Sequence, residues 1–447
     1  MKPANDLVSI FKQAVHAVDP AELLARQVKN EGRSLVVETG ETRVEEDLSK
    51  YRRIIVLGMG KASARMAFAM EAVLGDGLAD GFVITKYGHG ASLEKVRIME
   101  AGHPVPDENS LKGARILTGM ASQAEGDTLI INLVSGGGSS LLALGAEGIG
   151  LADKVRTTEV LLSAGADIDE INCIRKHISG VKGGWLARTA HPARLISLIL
   201  SDVVGDRLDT IASGITAPDP TTFKEALLVL EKYSLLDKVP TAVREHLFSG
   251  DRGLVPETPK PGDPVFRRVT NIIIGSNGLA CRSALAGAQR LGYHASILTS
   301  TMTGEARQAG ECLAGLAMEM QTGRSCLARP HLLILGGETT VTIHGKGKGG
   351  RNQEMALAFA CSLHRACPGS SGIYFLPAGT DGTDGPTDAA GAMVIPALME
   401  KMKDISAEAE RHLDDNDAYT FFDRHGLLLK TGPTCTNVCD LVLLLVA

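Results

Sequence analysis

No run of about 18 apolar residues occurs anywhere in the 447-residue chain, so no membrane-spanning helix is expected. The N-terminus, MKPANDLVSIFKQAVHAVDPAELL, also lacks the apolar core of a signal peptide. Asp6 and Asp19 speak against a transit peptide, and the stretch reads as an amphipathic helix. There is no CxxC pair. The eight cysteines, Cys173, Cys281, Cys312, Cys326, Cys361, Cys367, Cys435 and Cys439, are scattered, and no nearby His or Cys completes a zinc set around Cys435 and Cys439. Such usage fits reduced, mostly buried thiols in a cytoplasmic enzyme. The net charge of −6, with no basic surface or DNA-binding motif, argues against nucleic acid as the main ligand. Aromatics are scarce at 4%, whereas glycine is abundant at 50 residues, a mix that suits α/β folds with glycine-bearing loops at strand ends.

Length alone favours two or three domains. Short apolar runs alternate with helical stretches: RIIVLG, GFVITK, TLIINLV and ARLISLIL are strand candidates, the pattern of a parallel sheet with helices on both faces. The long stretch from Ala152 to Ala187 reads as two helices broken near AGADIDE. A proline- and glycine-rich segment, 249–266, is the best linker candidate, dividing a domain at 1–248 from one at 267–447. In the latter VTNIIIGSN, HASILTS, HLLILGG, GIYFLPAG and DLVLLLVA read as strands, and the alternation in ETTVTIHG suggests a half-exposed antiparallel strand.

The polar chemistry collects after the strands, in GMGKAS, SGGGSS, SDVVGD, GSN, GGET and AGTDGTDGPTD. Ligands of open α/β sheets sit at the carboxyl ends of the strands, so these loops suggest one composite site. LVSGGGSSLL (133–142) has the strand–glycine loop–helix order that aims backbone N–H groups at an anion, with Leu141, Leu142 and Leu144 suiting a helix start. Lys61 stands at a helix start where the dipole disfavours a cation, a placement that an anionic ligand would explain. The loop is not a Walker A motif, because no glycine stands five residues before Gly60. Arg351, opening the helix NQEMALAFA, offers a two-pronged cation, whereas Lys346 and Lys348 read as solubilising charges. Asp202, Asp206, Glu338, Asp381, Asp384 and Asp388 are carboxylates of the kind that hold Mg²⁺ or accept a hydroxyl proton, although Asp beside Gly is also a turn former. RKHISGVKGG adds Arg175, Lys176, His177 and Lys182, with His177 reading as a packed helical residue.

These motifs, with INCIRKHISGVKGG, SDVVGDRLDTIASGITAPDPTT, GGETTVTIHGKGKGGRNQE and TGPTCTNVCDL, resemble the class II glycerate kinases, the glycerate 2-kinase family whose C-terminal part is the MOFRL domain. The likeness spans nearly the whole chain. Cys435 departs from it, standing where the family pattern TGPTGTNV has glycine. The resemblance implies two α/β/α sandwich domains, the larger Rossmann-like with a mostly parallel sheet and the smaller with a mixed sheet, and a site in the cleft between them. It implies phosphorylation of D-glycerate by ATP and Mg²⁺ to 2-phosphoglycerate. The family's prominent basic residues match Lys61 and Arg351, which would hold the glycerate carboxylate or the γ-phosphate. Ser135, Gly136, Gly137, Gly138, Ser139 and Ser140 would cradle a phosphate. Asp202 would carry Mg²⁺ or take the C2 hydroxyl proton, with Glu338 and Asp381 as further metal candidates. The expected partners are small molecules, with neither nucleic acid nor membrane, for a monomer or homodimer.

The rival activity is NAD(P)H-dependent hydroxypyruvate reduction, a name that bacterial members of the family have often carried. GMGKAS supplies only two glycines of G-x-G-x-x-G, Ser63 standing in the third place, and Asp80 precedes its strand where a ribose-binding acid belongs at the strand's end.

Overall fold

The computed structural model describes residues 2–40, 42–325, 327–368 and 371–447, so Cys326 lies outside the described residues. The chain forms two compact units, Pro20–Ile274 and Met1–Asp19 with Gly275–Ala447.

The first unit opens with a small antiparallel sheet of β1 (Val28–Asn30), β2 (Ser34–Glu38) and β3 (Arg43–Asp47). Its main sheet contains β4 (Arg53–Met59), β5 (Leu78–Lys86), β6 (Val96–Ala101), β7 (Thr128–Val134), β8 (Arg194–Leu200) and β9 (Val269–Gly275), in the spatial order β6-β5-β4-β7-β8-β9. The four pairings from β6 to β8 are parallel. Numbered within this sheet, the order is 3-2-1-4-5-6, that of the Rossmann fold, with its switch point between β4 and β7. Every residue of β7 is buried, as its unbroken apolar run requires for a strand covered on both faces. Two helices of the first unit start at capping boxes that the sequence supplies. Asp107 closes a capping box on Glu108–Ser122, and Asp167 does so on Ile168–His177, which is why the long helical stretch breaks after Ser163.

The second unit holds a mixed sheet of β10 (His294–Met302), β11 (His331–Gly337), β12 (Ile373–Gly379), β13 (Gly391–Ala392), β14 (Leu428–Leu429) and β15 (Asp440–Val446). Its order is β10-β11-β15-β12-β13-β14, parallel only between β10 and β11. The helix Arg351–Ala366 runs through its core, where Phe359 stacks on Phe375 with ring centroids 4.1 Å apart.

The division differs from the sequence expectation in three ways. The segment 249–266 lies inside the first unit, pinned by Glu257 to His177 at 2.9 Å, by Thr258 to Asp219 at 2.9 Å and by Arg188 to Asp263 at 2.5 Å. VTNIIIGSN, expected in the C-terminal domain, supplies β9 to the first unit's sheet. There Arg194, at the start of β8, donates to Arg268 O at 3.1 Å and to Thr270 Oγ1 at 2.8 Å. The helix Lys2–Ala17, expected in the N-terminal domain, packs on Asn277–Arg290 of the second unit, with Gln13 Nε2 donating to Ser283 O at 2.9 Å.

Two local expectations also change. ETTVTIHG is not a strand: its backbone pairing ends after the bond from Glu338 N to Met302 O at 2.8 Å and the single bridge at Thr340. Side chains take its N–H groups instead, Glu305 from Thr342 at 2.9 Å and Asn416 Oδ1 from His344 and Gly345 at 2.8 and 2.9 Å. The helix after the SGGGSS loop is one turn, Gly138–Leu141, because the chain leaves the helical region at Leu142, where φ is −110° and ψ 84°. Among the seven described cysteines, all free, Cys173, Cys281, Cys361 and Cys439 are buried. No helix among the described residues is long and apolar enough to cross a membrane.

Candidate active site

At the switch point of the first unit the loops after β4 and β7 are stitched together. Ser135 N donates to Met59 O at 3.1 Å, Lys61 N donates to Gly136 O at 2.8 Å, and Ala62 N donates to Ser135 Oγ at 3.0 Å. Gly60 makes this approach possible. Its φ is +123°, and a Cβ there would collide with Ser135.

Three side chains close on the glycine loop. A Cβ on Gly136 would run into the Asp202 carboxylate. A Cβ on Gly137, whose φ is +79°, would stand 2.7 Å from His103 Cδ2 and 3.4 Å from Lys61 Cγ. The N–H groups of Gly136 and Gly137 have no hydrogen-bond partner among the described residues, nor has Lys61 Nζ, which is half-buried. The loop thus presents two backbone donors with the Lys61 side chain against Gly137, an arrangement that can receive an oxyanion. Because the following helix is one turn, its dipole adds little, and the donors are those of the loop itself. Burial, then the Lys61, Lys86 and His89 charges, lower the pKa of His103 to about 4, so its imidazole is neutral at pH 7. His103 escaped the sequence reading; its only signal was a histidine in the loop directly after β6.

The far end of the loop is held by cations. Arg175 Nη2 donates to Ser139 Oγ at 2.6 Å, Lys182 Nζ donates to Ser139 O at 2.6 Å, and Ser139 Oγ shares a 2.7 Å bond with Ser213 Oγ. Gly138 lies against Met59 and Ala212, and Ser140 lines the adjoining cavity. Lys176 and His177 are structural. Lys176 sits 3.3 Å from Asp219 and 3.5 Å from Asp209, and His177 is buried between Cys173 O and Glu257.

The second unit gathers a different set. Arg351 Nε and Nη2 meet the two oxygens of Asp440 at 2.6 and 3.0 Å, and Nη1 meets Glu338 Oε1 at 2.6 Å. Burial opposes the charge on Arg351, but Asp440 and Glu338 outweigh it and raise its pKa. Burial raises that of Asp440, against the pull of Arg351. Asp440 was not among the expected site residues, because it opens the apolar run of β15. Asp384, almost fully buried and raised by that burial to about 7, accepts from the N–H groups of Asn352 and Gln353 at 3.1 and 2.8 Å and so caps the helix of Arg351. Asp388 binds Tyr419 and Lys430 at the surface, and Lys348 lies 4.0 Å over the Tyr419 ring.

The three metal candidates sit in different surroundings. Glu338 is engaged by Arg351, and Asp381 accepts from Thr383 N and Oγ1 at 3.0 Å each, holding its own turn. Among the described residues no group of three or more His, Cys, Asp or Glu side chains could hold a metal. Mg²⁺ in phosphoryl-transfer sites takes one or two carboxylates plus substrate phosphates and water. Asp202, a carboxylate against the glycine loop, fits that requirement.

Residues 6–248 match the family model described as a domain of unknown function, DUF4147, and residues 331–440 match the MOFRL family. The chain is 41% identical over 435 residues to a glycerate 2-kinase of Pyrococcus horikoshii, covering 97% of this chain and 95% of that one. An Agrobacterium vitis protein with a provisional hydroxypyruvate reductase name is 40% identical over 88% of this chain and 87% of its own. A crystal structure of a glycerate kinase from Thermotoga maritima superposes with a TM-score of 0.86 at 39% identity, covering 100% of both chains. With both domain models matched and identity sustained over almost its whole length, the chain belongs to the glycerate 2-kinase family of DUF4147–MOFRL proteins.

Proposed function

We propose that the protein phosphorylates D-glycerate at its C2 hydroxyl with ATP, giving ADP and 2-phosphoglycerate. The observation that carries this reading is the Lys61 side chain against Gly137, its ammonium and the N–H groups of Gly136 and Gly137 having no partner among the described residues, with the Asp202 carboxylate against the same loop. The reaction forms a bond from the C2 oxygen to the γ-phosphorus and breaks the bond from that phosphorus to the β,γ-bridging oxygen. Such a transfer needs positioning and charge stabilisation more than covalent help. Lys61 and the two glycine donors bind equatorial phosphoryl oxygens. His103, kept neutral, is available to take the hydroxyl proton. Arg351 has used three of its five N–H groups on Asp440 and Glu338, and the remaining two are its means of holding a substrate oxygen. Mg²⁺, held by Asp202 with the nucleotide phosphates, would neutralise charge on those phosphates. The scattered cysteines support a cytoplasmic setting.

Hydroxypyruvate reduction is the weaker reading. Asp80 is the third residue of β5, at the end opposite the loops, where it pairs with Arg53 and Arg97. No acidic residue closes the other end of β5, whose last residues are Thr85 and Lys86. The test is a pair of assays: ADP release from ATP and D-glycerate with Mg²⁺, and NADH or NADPH oxidation by hydroxypyruvate. The kinase reading expects turnover in the first and none above background in the second.

A further inference from the structure

Beside the glycine loop of the first unit lies a cavity of about 320 Å³ with an uneven distribution of charge. Lys154, Arg175 and Lys182 line it, together with Ser139 and Ser140. Lys154 is 7% exposed and Lys182 1%. Among the described residues none of the three has a carboxylate within ion-pair distance: Lys154 donates to Ile178 O at 3.1 Å, and Arg175 and Lys182 meet only Ser139 and Leu142 O. Their neighbour Lys176 shows what a purely structural buried cation has here, two aspartates within 3.5 Å. The one acid lining the cavity, Glu159, faces Arg156 at 3.6 Å on the surface. Two buried lysines and a partly buried arginine with no carboxylate among the described residues to offset them repel one another, and burial followed by that repulsion lowers the pKa of Lys154 to about 7 and that of Lys182 well below the usual lysine range.

The same cavity has an apolar mouth. Val105, Leu162 and Ile168 are 61%, 62% and 59% exposed, among the most exposed large hydrophobic residues of the chain, and all three line it. Val155, Ile171 and Ile178 continue the apolar wall inward. Scattered exposed hydrophobics need no explanation, but a cluster at the mouth of a cavity marks a binding site. A ligand matching this site carries an anionic tail and a flat, weakly polar body. D-glycerate has no such body.

We propose that this cavity is the nucleotide subsite, with the phosphates on Arg175, Lys182, Lys154 and Ser139 and the base against Leu162, Ile168 and Val105. The assignment rests on the kinase reading and deepens it by separating the donor's place from the acceptor's. Calorimetric titration of the full chain with ADP, tripolyphosphate and D-glycerate tests it. Arg175→Gln is expected to weaken ADP and tripolyphosphate tenfold or more. Leu162→Ser, at an exposed position that leaves folding intact, is expected to weaken ADP threefold or more with tripolyphosphate unchanged. Glycerate binding stays within twofold in both. If Arg175→Gln does not fold, Leu162→Ser decides. ADP affinity unchanged in Leu162→Ser, or glycerate affinity alone falling in Arg175→Gln, overturns the assignment while leaving the kinase reading in place. A wild-type protein that binds no ADP and releases none from ATP and glycerate overturns both.

Discussion

Arg351 and Asp440 form a two-pronged pair, Nε and Nη2 of the arginine reaching both carboxylate oxygens at 2.6 and 3.0 Å across 89 residues of sequence. The pair sets the plane of the guanidinium, so the N–H groups left over point in a fixed direction. Lysine keeps the charge but not the fork. Arg351→Lys is therefore expected to lower kcat/KM at least tenfold. Asp440→Asn is expected to do the same with a lower melting temperature, since breaking a buried pair costs roughly 3–5 kcal/mol. Steady-state kinetics with melting curves check this; wild-type turnover in Arg351→Lys would show that a point charge suffices.

Lys61→Met removes the charge from a side chain whose Cγ lies against Gly137, without removing bulk. A charged contact of this kind in a closed site is worth on the order of 10²–10³ in rate. The variant should melt normally and lose that much in kcat/KM. A normally folded Lys61→Met enzyme with near-wild-type turnover would remove Lys61 from the site.

Much of the first unit's site was legible because its signals are local. Glycines and serines after an apolar run, and a lysine where a helix dipole repels it, announce a loop built for an anion, and both lie at the switch point. The second unit's pair was half legible. Arg351 opens a helix after four glycines, but Asp440 is embedded in VCDLVLLLV and reads as strand until its partner is known. The counter-charge of a buried cation is equally hidden. Lys176 and Lys182 look alike in RKHISGVKGG, and only the fold gives Asp219 to one and, among the described residues, carbonyl oxygens but no carboxylate to the other. Where the two compact units divide was hidden for a related reason. Proline and glycine mark 249–266 as irregular, yet the irregular segment is fastened to His177, Asp219 and Arg188 by contacts that no composition records.

Cys435 has φ +61°, the left-handed region, at the position where the family pattern has glycine. A non-glycine residue held there costs about 1 kcal/mol or more. Part of that gain is offset by the greater freedom of glycine in the unfolded chain. Cys435→Gly should raise the melting temperature by a degree or more in differential scanning calorimetry. A lower one would show that the cysteine side chain, exposed as it is, makes a stabilising contact.

His177 and Glu257, 2.9 Å apart, tie helix Ile168–His177 to the 249–266 segment. Although burial opposes its charge, bonds to Cys173 and Glu257 raise the pKa of His177 to about 9. Although burial also opposes the carboxylate, His177 lowers that of Glu257 to about 2. The raised histidine stabilises fully below its unfolded value of about 6.5, and this is lost as pH rises towards 9. The depressed glutamate stabilises above about 4.5, and this is lost as pH falls towards 2. Because Glu257 is more than a third exposed, solvent screening limits the pair to on the order of 1–2 kcal/mol. Stability should therefore peak between about pH 4.5 and 6.5 and decline towards pH 9. Glu257→Gln should flatten the alkaline limb in denaturant titrations; an unchanged limb would assign that decline to other groups.

The central claim is transfer of the ATP γ-phosphoryl group to the C2 oxygen of D-glycerate. Supplying the protein with D-glycerate, ATP and Mg²⁺, coupled to enolase and pyruvate kinase without phosphoglycerate mutase, reads the 2-phosphate directly. The account predicts a steady signal without mutase. A signal that appears only when mutase is added would mean the 3-phosphate, and no ADP from glycerate alongside NADH oxidation by hydroxypyruvate would contradict the kinase itself.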